Sequence, residues 1–171
     1  MKKLILILSI VFVANVTFAQ KTQEQQTKPK VYVPMANAKQ QLDSVINKAK
    51  IENKHVFVQV GGNWCKWCIE LHKFMNRDFQ IDSIMKADYV VYYLNYSKED
   101  RNEELMKKFE FPQRFGFPVI LILNAEGKKL HTQQTDYFEG KEEAYSKEKV
   151  FDFLKSWNVK ALSPSTYAPL S

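Results

Sequence analysis

The sequence predicts an α/β domain with a central mixed β-sheet flanked by helices. Short runs of β-branched and aromatic residues alternate with amphipathic segments along the chain, which is typical of strands connected by helices. A turn-forming segment at residues 124–127 then joins the last two predicted strands as a hairpin. Apolar residues make up 45% of the 171-residue chain, which suits one globular domain with its own core.

The first predicted element is a helix over residues 36–50. Apolar residues recur there at helical spacing, and they are Leu42, Val45, Ile46 and Ala49. Residues 55–60 form a β-branched and aromatic run that predicts a buried strand. Gly61 and Gly62 end this strand.

The remaining elements continue the alternation. They are a helix from Cys65 towards Arg77, a short helix over 79–87, a strand over 89–94, a helix over 102–109, strands over 119–123 and 128–132, and a closing helix over 147–157. The closing helix is expected to turn one apolar face inwards, formed by Val150, Phe151, Leu154 and Trp157.

The N-terminus has the pattern of a secretory signal. Lys2 and Lys3 precede an apolar run over residues 4–13, and small residues stand at Thr17 and Ala19. The alternative, a membrane anchor, needs about 20 apolar residues, and this run is shorter. We therefore predict a signal peptide over residues 1–19, cleaved after Ala19, and an exported protein that is periplasmic or secreted.

The mature chain divides into three further parts. Residues 20–35 are polar and contain Pro29 and Pro34, which predicts a flexible linker. Residues 36–160 are the predicted domain, and residues 161–171 are a C-terminal tail.

The charge pattern argues against nucleic acid as a partner. The formal charge is +6, and loss of Lys2 and Lys3 with the signal leaves +4. Lysines alternate with acidic residues, as on a solvated surface. We expect neither nucleic-acid binding nor membrane attachment after cleavage.

The chain has two cysteines, Cys65 and Cys68, within the sequence WCKWC. A crosslink that closes so small a loop stabilises a fold very little, so a structural disulfide explains the pair poorly. At a helix start, the first cysteine lies at the positive end of the dipole, which favours a thiolate. Cys65 is therefore predicted to attack a substrate disulfide, and Cys68 to resolve the mixed disulfide. The cysteines carry the electrons, so no cofactor is required, but a thiol-donating redox partner must regenerate them.

Metal binding is the alternative for these cysteines. His72 follows Cys68 by four residues, so a Cys-Cys-His group on one helical face is conceivable. A tetrahedral zinc site needs four ligands, and the sequence offers no second cysteine pair. We predict no metal site, and a binding module or metal carrier without redox turnover remains the competing hypothesis.

These motifs together resemble the thioredoxin superfamily over residues 36–157. The resemblance rests on a strand, then WCKWC at a helix start, then FGFPVILILNAEGK, and it is nearest to exported thioredoxin-like (thiol–disulfide interchange) members. It implies a thioredoxin-like fold and a protein-disulfide oxidoreductase of the reductase or isomerase type, acting on disulfide-containing proteins. It also implies that Pro118 is a cis-proline facing the cysteine pair and that its neighbour Phe117 contacts substrate. From the residues alone, a trans-proline at the start of a strand is the alternative for Pro118.

The resemblance also assigns the tryptophans. Trp64 is expected to cap one side of the site. Trp67 lies inside the dipeptide between the cysteines, and a core tryptophan is the alternative for it. We expect Trp64, Trp67 and Phe117 to form an exposed apolar collar that grips unfolded or extended protein substrates.

The sequence departs from the family pattern at three positions. Gln59 stands where many thioredoxins have a buried aspartate, Tyr93 stands where its lysine partner is usual, and Lys73 replaces the proline of the motif helix. An amide cannot accept the proton that the resolving cysteine loses. We therefore expect water, or a nearby glutamate such as Glu70, to handle this proton in place of Gln59.

Overall fold

A computed structural model describes residues 30–141 and 143–168; the predicted signal peptide and most of the predicted linker lie outside these residues. The helices and strands are α1 (Ala38–Glu52), β1 (His55–Gly61), α2 (Lys66–Arg77), α3 (Phe79–Asp88), β2 (Tyr89–Asn95), α4 (Glu103–Lys108), β3 (Val119–Leu123), β4 (Lys129–Gln134) and α5 (Lys147–Ser156). Short 3-10 turns occupy Pro112–Phe115, Thr135–Phe138 and Pro164–Tyr167.

The four strands form one mixed sheet in the order β2-β1-β3-β4. Strand β1 pairs parallel with β2 and antiparallel with β3, and β3 pairs antiparallel with β4 as a hairpin. The parallel register places Gln59 beside Tyr93. The predicted α/β class with a central mixed sheet is confirmed.

Helices cover both faces of the sheet. Successive side chains of a strand point to opposite faces, so Val56, Val58 and Val60 pack under α1 and α4. Phe57 points the other way, into the layer formed with α2, α3 and α5. Both faces are therefore buried, which explains why β1 and β3 are almost uniformly apolar.

Two details of the predicted elements need correction. On α5, Val150 and Leu154 are buried as predicted, Phe151 and Trp157 are partly buried and pack against the same core cluster, and the prediction missed the buried Phe153. Phe151 lies one position, about 100°, away from the helical face that Val150 and Leu154 share. Strand β4 extends to Gln134, two residues beyond the prediction, because its polar residues lie on an edge strand that pairs with β3.

The described end of the predicted linker packs against the domain. Tyr32 has no exposed surface, and its ring lies in a cluster with both cysteines. Its backbone is held by Asn63, whose side-chain oxygen accepts from the Tyr32 N–H at 3.1 Å and whose amide donates to the Tyr32 carbonyl at 2.7 Å. The folded domain therefore begins before residue 36.

Within the described ranges, none of the helices combines the length and the apolar character needed to cross a bilayer.

Candidate active site

The two cysteines form a disulfide at the N-terminus of α2. Cys65 is the N-cap residue, and its sulfur accepts from the Cys68 N–H at 3.1 Å. Of the Cys65 surface 6% is exposed, whereas Cys68 is completely buried. Because backbone N–H groups and the helix dipole favour negative charge at this end, the more exposed of the two cysteines is also the one placed to become a thiolate.

Gly61 and Gly62 allow the chain to pass close to this disulfide. A Cβ on Gly61 would lie 2.5 Å from the Cys68 sulfur and 2.8 Å from the Tyr32 hydroxyl. A Cβ on Gly62 would overlap the Trp64 indole. Glycine is therefore required where β1 leads into the motif.

Trp64, Tyr96 and Phe117 pack together and form one part of a surface that we call the outer rim of the site. The Phe117 ring packs edge-on against Trp64 with centroids 5.4 Å apart, and it lies tilted against the Tyr96 ring with centroids 5.0 Å apart. The Trp64 indole donates to the Tyr96 carbonyl at 2.7 Å. Trp64 keeps 59% of its surface exposed, so this part of the rim presents apolar area to solvent.

Pro118 follows Phe117 through a cis peptide bond, as the resemblance implies. Pro118 is buried, and its carbonyl accepts from the Thr135 hydroxyl at 2.7 Å. Phe117 also packs on the cluster that contains both cysteines.

Trp67 forms the other part of the rim. Its ring packs edge-on against Tyr145 at 6.1 Å, and the Tyr145 hydroxyl donates to the Trp67 carbonyl at 3.0 Å. The exposed fraction of Trp67 is 49%, so the alternative of a core tryptophan is wrong. Trp67 and Trp64 thus pack against different aromatic residues.

The inner side of the site is polar but fully buried. The Gln59 amide nitrogen donates to the Tyr32 hydroxyl at 2.6 Å and to the Cys68 carbonyl at 2.9 Å. The Gln59 side-chain oxygen has no hydrogen-bond partner among the residues that the structure describes. Tyr32 packs edge-on against Tyr93 at 5.8 Å, and burial raises the pKa of Tyr32 far above its usual value.

Glu70, the proposed alternative proton acceptor, lies on the solvent side of α2. Its carboxylate accepts from Lys73 at 2.9 Å, and 39% of the side chain is exposed. Lys73, at the position of the family's helix proline, is thereby a surface residue. The structure brings Gln59 to the cysteine pair and gives Glu70 a lysine partner instead.

His72 turns towards β2. Its Nδ1 lies 2.8 Å from the Tyr93 hydroxyl, and burial lowers its pKa. Within residues 30–141 and 143–168, no group of three or more histidine, cysteine, aspartate or glutamate side chains is placed to hold a metal ion.

Sequence reasoning missed Tyr32. It assigned this residue to a linker because the surrounding segment is polar and contains two prolines. The available signal was the apolar run of residues 31–33 between those prolines, which is unusual for a flexible spacer.

A sequence model described as a thioredoxin-like domain matches residues 42–142. The chain belongs to this thioredoxin-like family. No curated protein matches the chain.

Solved structures show the same fold. A disulphide isomerase from Xylella fastidiosa Temecula1 is 23% identical with a TM-score of 0.64, covering 75% of this chain and 96% of that one. A thioredoxin from Thermus thermophilus is 15% identical with a TM-score of 0.52, covering 70% and 85%. The reduced DsbD C-terminal domain of Neisseria meningitidis is 14% identical with a TM-score of 0.50, covering 70% and 96%.

In this thioredoxin-like domain the cysteine pair forms a disulfide at a helix N-terminus. Such a pair gains or loses two electrons as the bond opens and closes. The protein is therefore a thiol–disulfide oxidoreductase.

Proposed function

We propose that the protein is a reductase or isomerase that exchanges disulfides with exported proteins. The observation that carries this is the asymmetry of the pair: Cys65 caps the helix and keeps 6% of its surface exposed, while Cys68 is completely buried. The names of two solved structures, a disulphide isomerase and a DsbD C-terminal domain, support the same class of reaction.

The exchange proceeds in two steps. In the reduced protein, the Cys65 thiolate attacks one sulfur of a substrate disulfide, and the other substrate sulfur leaves as a thiolate. Cys68 then attacks the Cys65 sulfur, which restores the Cys65–Cys68 disulfide and releases the substrate in reduced form. A thiol-donating redox partner returns the pair to the dithiol.

The outer rim is proposed to hold the substrate. Trp64 and Trp67 directly precede the two cysteines in the sequence and are 59% and 49% exposed, and Phe117 packs on the cluster that contains both cysteines. Exposed aromatic groups around a reactive centre suit extended or unfolded protein segments. Pro118, the cis-proline directly after Phe117, is proposed to shape the substrate-binding surface beside the cysteine pair.

The direction of exchange follows from the stabilisation of the Cys65 thiolate. The helix N-terminus supplies it, Lys66 is exposed, and the Trp67 indole is neutral. We expect a reduction potential between roughly −180 and −270 mV, which is the range of isomerase-like and thioredoxin-like pairs. Equilibration with glutathione buffers measures it, and a value near about −120 mV would indicate an oxidant instead.

Reduction of insulin disulfides tests the proposed activity. The wild-type protein should catalyse it with a dithiol donor, and the Cys65→Ser variant should not. Metal content is measured on the same preparation, because a stoichiometric metal ion together with absent catalysis would favour the metal-carrier hypothesis.

Export is tested separately. The pattern of residues 1–19 supports cleavage after Ala19. N-terminal sequencing of the exported protein should therefore begin at Gln20, whereas a protein that begins at Met1 would contradict the signal-peptide prediction.

A further inference from the structure

The Tyr32 hydroxyl and the sulfur of the resolving cysteine border the same glycine. The Tyr32 hydroxyl and the Cys68 sulfur both lie within 3 Å of the point where a Cβ on Gly61 would stand. Tyr32 is completely buried, so no bulk water competes for its hydroxyl group.

The hydrogen bonds of the Gln59 side-chain amide determine in which direction the Tyr32 hydroxyl can donate its hydrogen. The Cys68 carbonyl can only accept, so the Gln59 group 2.9 Å from it is the NH₂ end. The same nitrogen lies 2.6 Å from the Tyr32 oxygen, which therefore accepts from Gln59. The hydroxyl hydrogen remains, and the structure shows no acceptor for it among the described residues while the cysteines are oxidised.

Reduction of the disulfide creates an acceptor at this place. A disulfide sulfur accepts hydrogen bonds weakly, whereas a thiolate is charged and accepts strongly. We propose that the Tyr32 hydroxyl donates a hydrogen bond to the Cys68 thiolate, and that Gln59 is a positioning residue that orients the hydroxyl for it. This inference rests on the proposed function of Cys68 as the resolving cysteine.

The step keeps its protons and electrons balanced. In the mixed disulfide, the Cys68 thiol loses its proton to water, and Tyr32 keeps its own proton because burial disfavours the phenolate. The Cys68 thiolate attacks the Cys65 sulfur, the Cys65–Cys68 bond forms, and the bond from Cys65 to substrate breaks. The substrate sulfur leaves with the electron pair and takes a proton from water.

Few other titratable groups lie near enough to Cys68 to donate a hydrogen bond to its thiolate. The titratable groups in the same cluster are Cys65 and Tyr93, and the Tyr93 hydroxyl points to His72. Glu70 is paired with Lys73 on the helix surface. Asn63 anchors the backbone of Tyr32 with two hydrogen bonds, so the segment that carries the donor is attached directly to the residues before Cys65.

The test measures the pKa of Cys68 itself. In the Cys65→Ser protein, Cys68 is the only cysteine, and the ultraviolet absorbance of its thiolate is followed against pH. Adding Tyr32→Phe should raise the pKa of Cys68 and lower the thiolate fraction near neutral pH by about tenfold, since a hydrogen bond to a charged group is lost. Tyr92→Phe is the control: it removes a buried hydroxyl that donates to the Ala38 carbonyl, and the pKa of Cys68 should not change.

A second variant covers the case in which Tyr32→Phe does not fold. Gln59→Met keeps the side-chain size and removes the NH₂ group, and it should also raise the pKa of Cys68. An unchanged pKa of Cys68 in folded Tyr32→Phe overturns the proposal, and so does an unchanged value in Gln59→Met if Tyr32→Phe is unfolded. A rise with Tyr32→Phe alone keeps the donor and overturns the role of Gln59.

This measurement is independent of turnover. If the wild-type protein fails to reduce insulin, the proposed function fails, while the pKa of Cys68 still reports whether Tyr32 donates to it. If insulin is reduced and Tyr32→Phe leaves the pKa of Cys68 unchanged, only the further inference fails.

Discussion

The outer and inner sides of the Cys65–Cys68 disulfide differ in polarity and in solvent exposure. The outer side is apolar: Trp64 is largely exposed and packs edge-on against Phe117, which also packs on the cysteine cluster. The inner side is polar and has no exposed surface, with Gln59 and Tyr32 hydrogen-bonded behind Cys68. The proposed substrate contact and the proposed proton handling therefore fall on opposite sides of the disulfide, with Cys65 on the outer side and Cys68 on the inner side.

Serine variants of the two cysteines should show the largest difference in behaviour between the outer and inner sides. Cys68→Ser leaves the outer nucleophile intact and removes the resolving thiol, so it should accumulate mixed disulfides with substrates. Cys65→Ser should accumulate almost none, because its remaining thiol is buried. Non-reducing electrophoresis after alkylation detects the adducts, and equal trapping by both variants would show that the two sides do not differ in function.

The Gln59→Asp substitution places a proton acceptor on the inner side. It should speed release of the mixed disulfide near neutral pH, because a carboxylate accepts the proton of Cys68. It should also cost at least about 2 kcal/mol of unfolding free energy, because a carboxyl group is buried there. Burial raises the folded-state pKa of such a group above its unfolded value, so the protein is least affected at acidic pH and loses stability as the pH rises.

Stopped-flow release rates and urea unfolding at several pH values measure both effects. Gln80→Asp is the matched control, since Gln80 is exposed on α3, and neither quantity should change appreciably. An unchanged release rate in Gln59→Asp would mean that proton transfer does not limit resolution on the inner side.

Removing an outer tryptophan should affect protein substrates more than small ones. Trp64→Ala is expected to lower kcat/KM for insulin by about tenfold, the effect of losing part of a large apolar contact. The loss for a small disulfide should be lesser, since such a substrate covers little of the rim. Phe79→Ala, which removes an aromatic ring that is 84% exposed on α3, is the control, and an equal loss in this variant would argue against a substrate-binding rim.

The smallest expected effect concerns His72, which borders the inner side through Tyr93. Its pKa is lowered by burial from the ordinary value of 6.5, so the unfolded chain binds this proton more tightly than the folded protein does. Its contribution to stability is therefore present above pH 6.5 and is lost as the pH falls through the lowered folded-state pKa. Urea unfolding between neutral and acidic pH should show a shallower loss of stability in His72→Gln, and an identical slope would contradict this.

The order and type of the elements could be predicted from the sequence, and so could the outer side of the site. Apolar spacing and short β-branched runs are local signals, and they place β1, β2 and β3 within one residue of the observed bounds. WCKWC and the Phe117-Pro118 pair are also local. The sequence by itself therefore determined the cysteine pair, its helix and the aromatic residues beside it.

Only the tertiary structure decided the inner side. Tyr32 reaches Gln59 across 27 positions of the chain and Asn63 across 31, and sheet register places Gln59 beside Tyr93. No periodicity marks such contacts, because they depend on how distant segments pack rather than on neighbouring residues. The same reason applies to Glu70. Its position near Cys68 in the sequence suggests a role in proton handling, but in α2 its side chain pairs with Lys73 on the helix surface. Tyr32, which the sequence places in the linker, instead packs in the cluster with both cysteines.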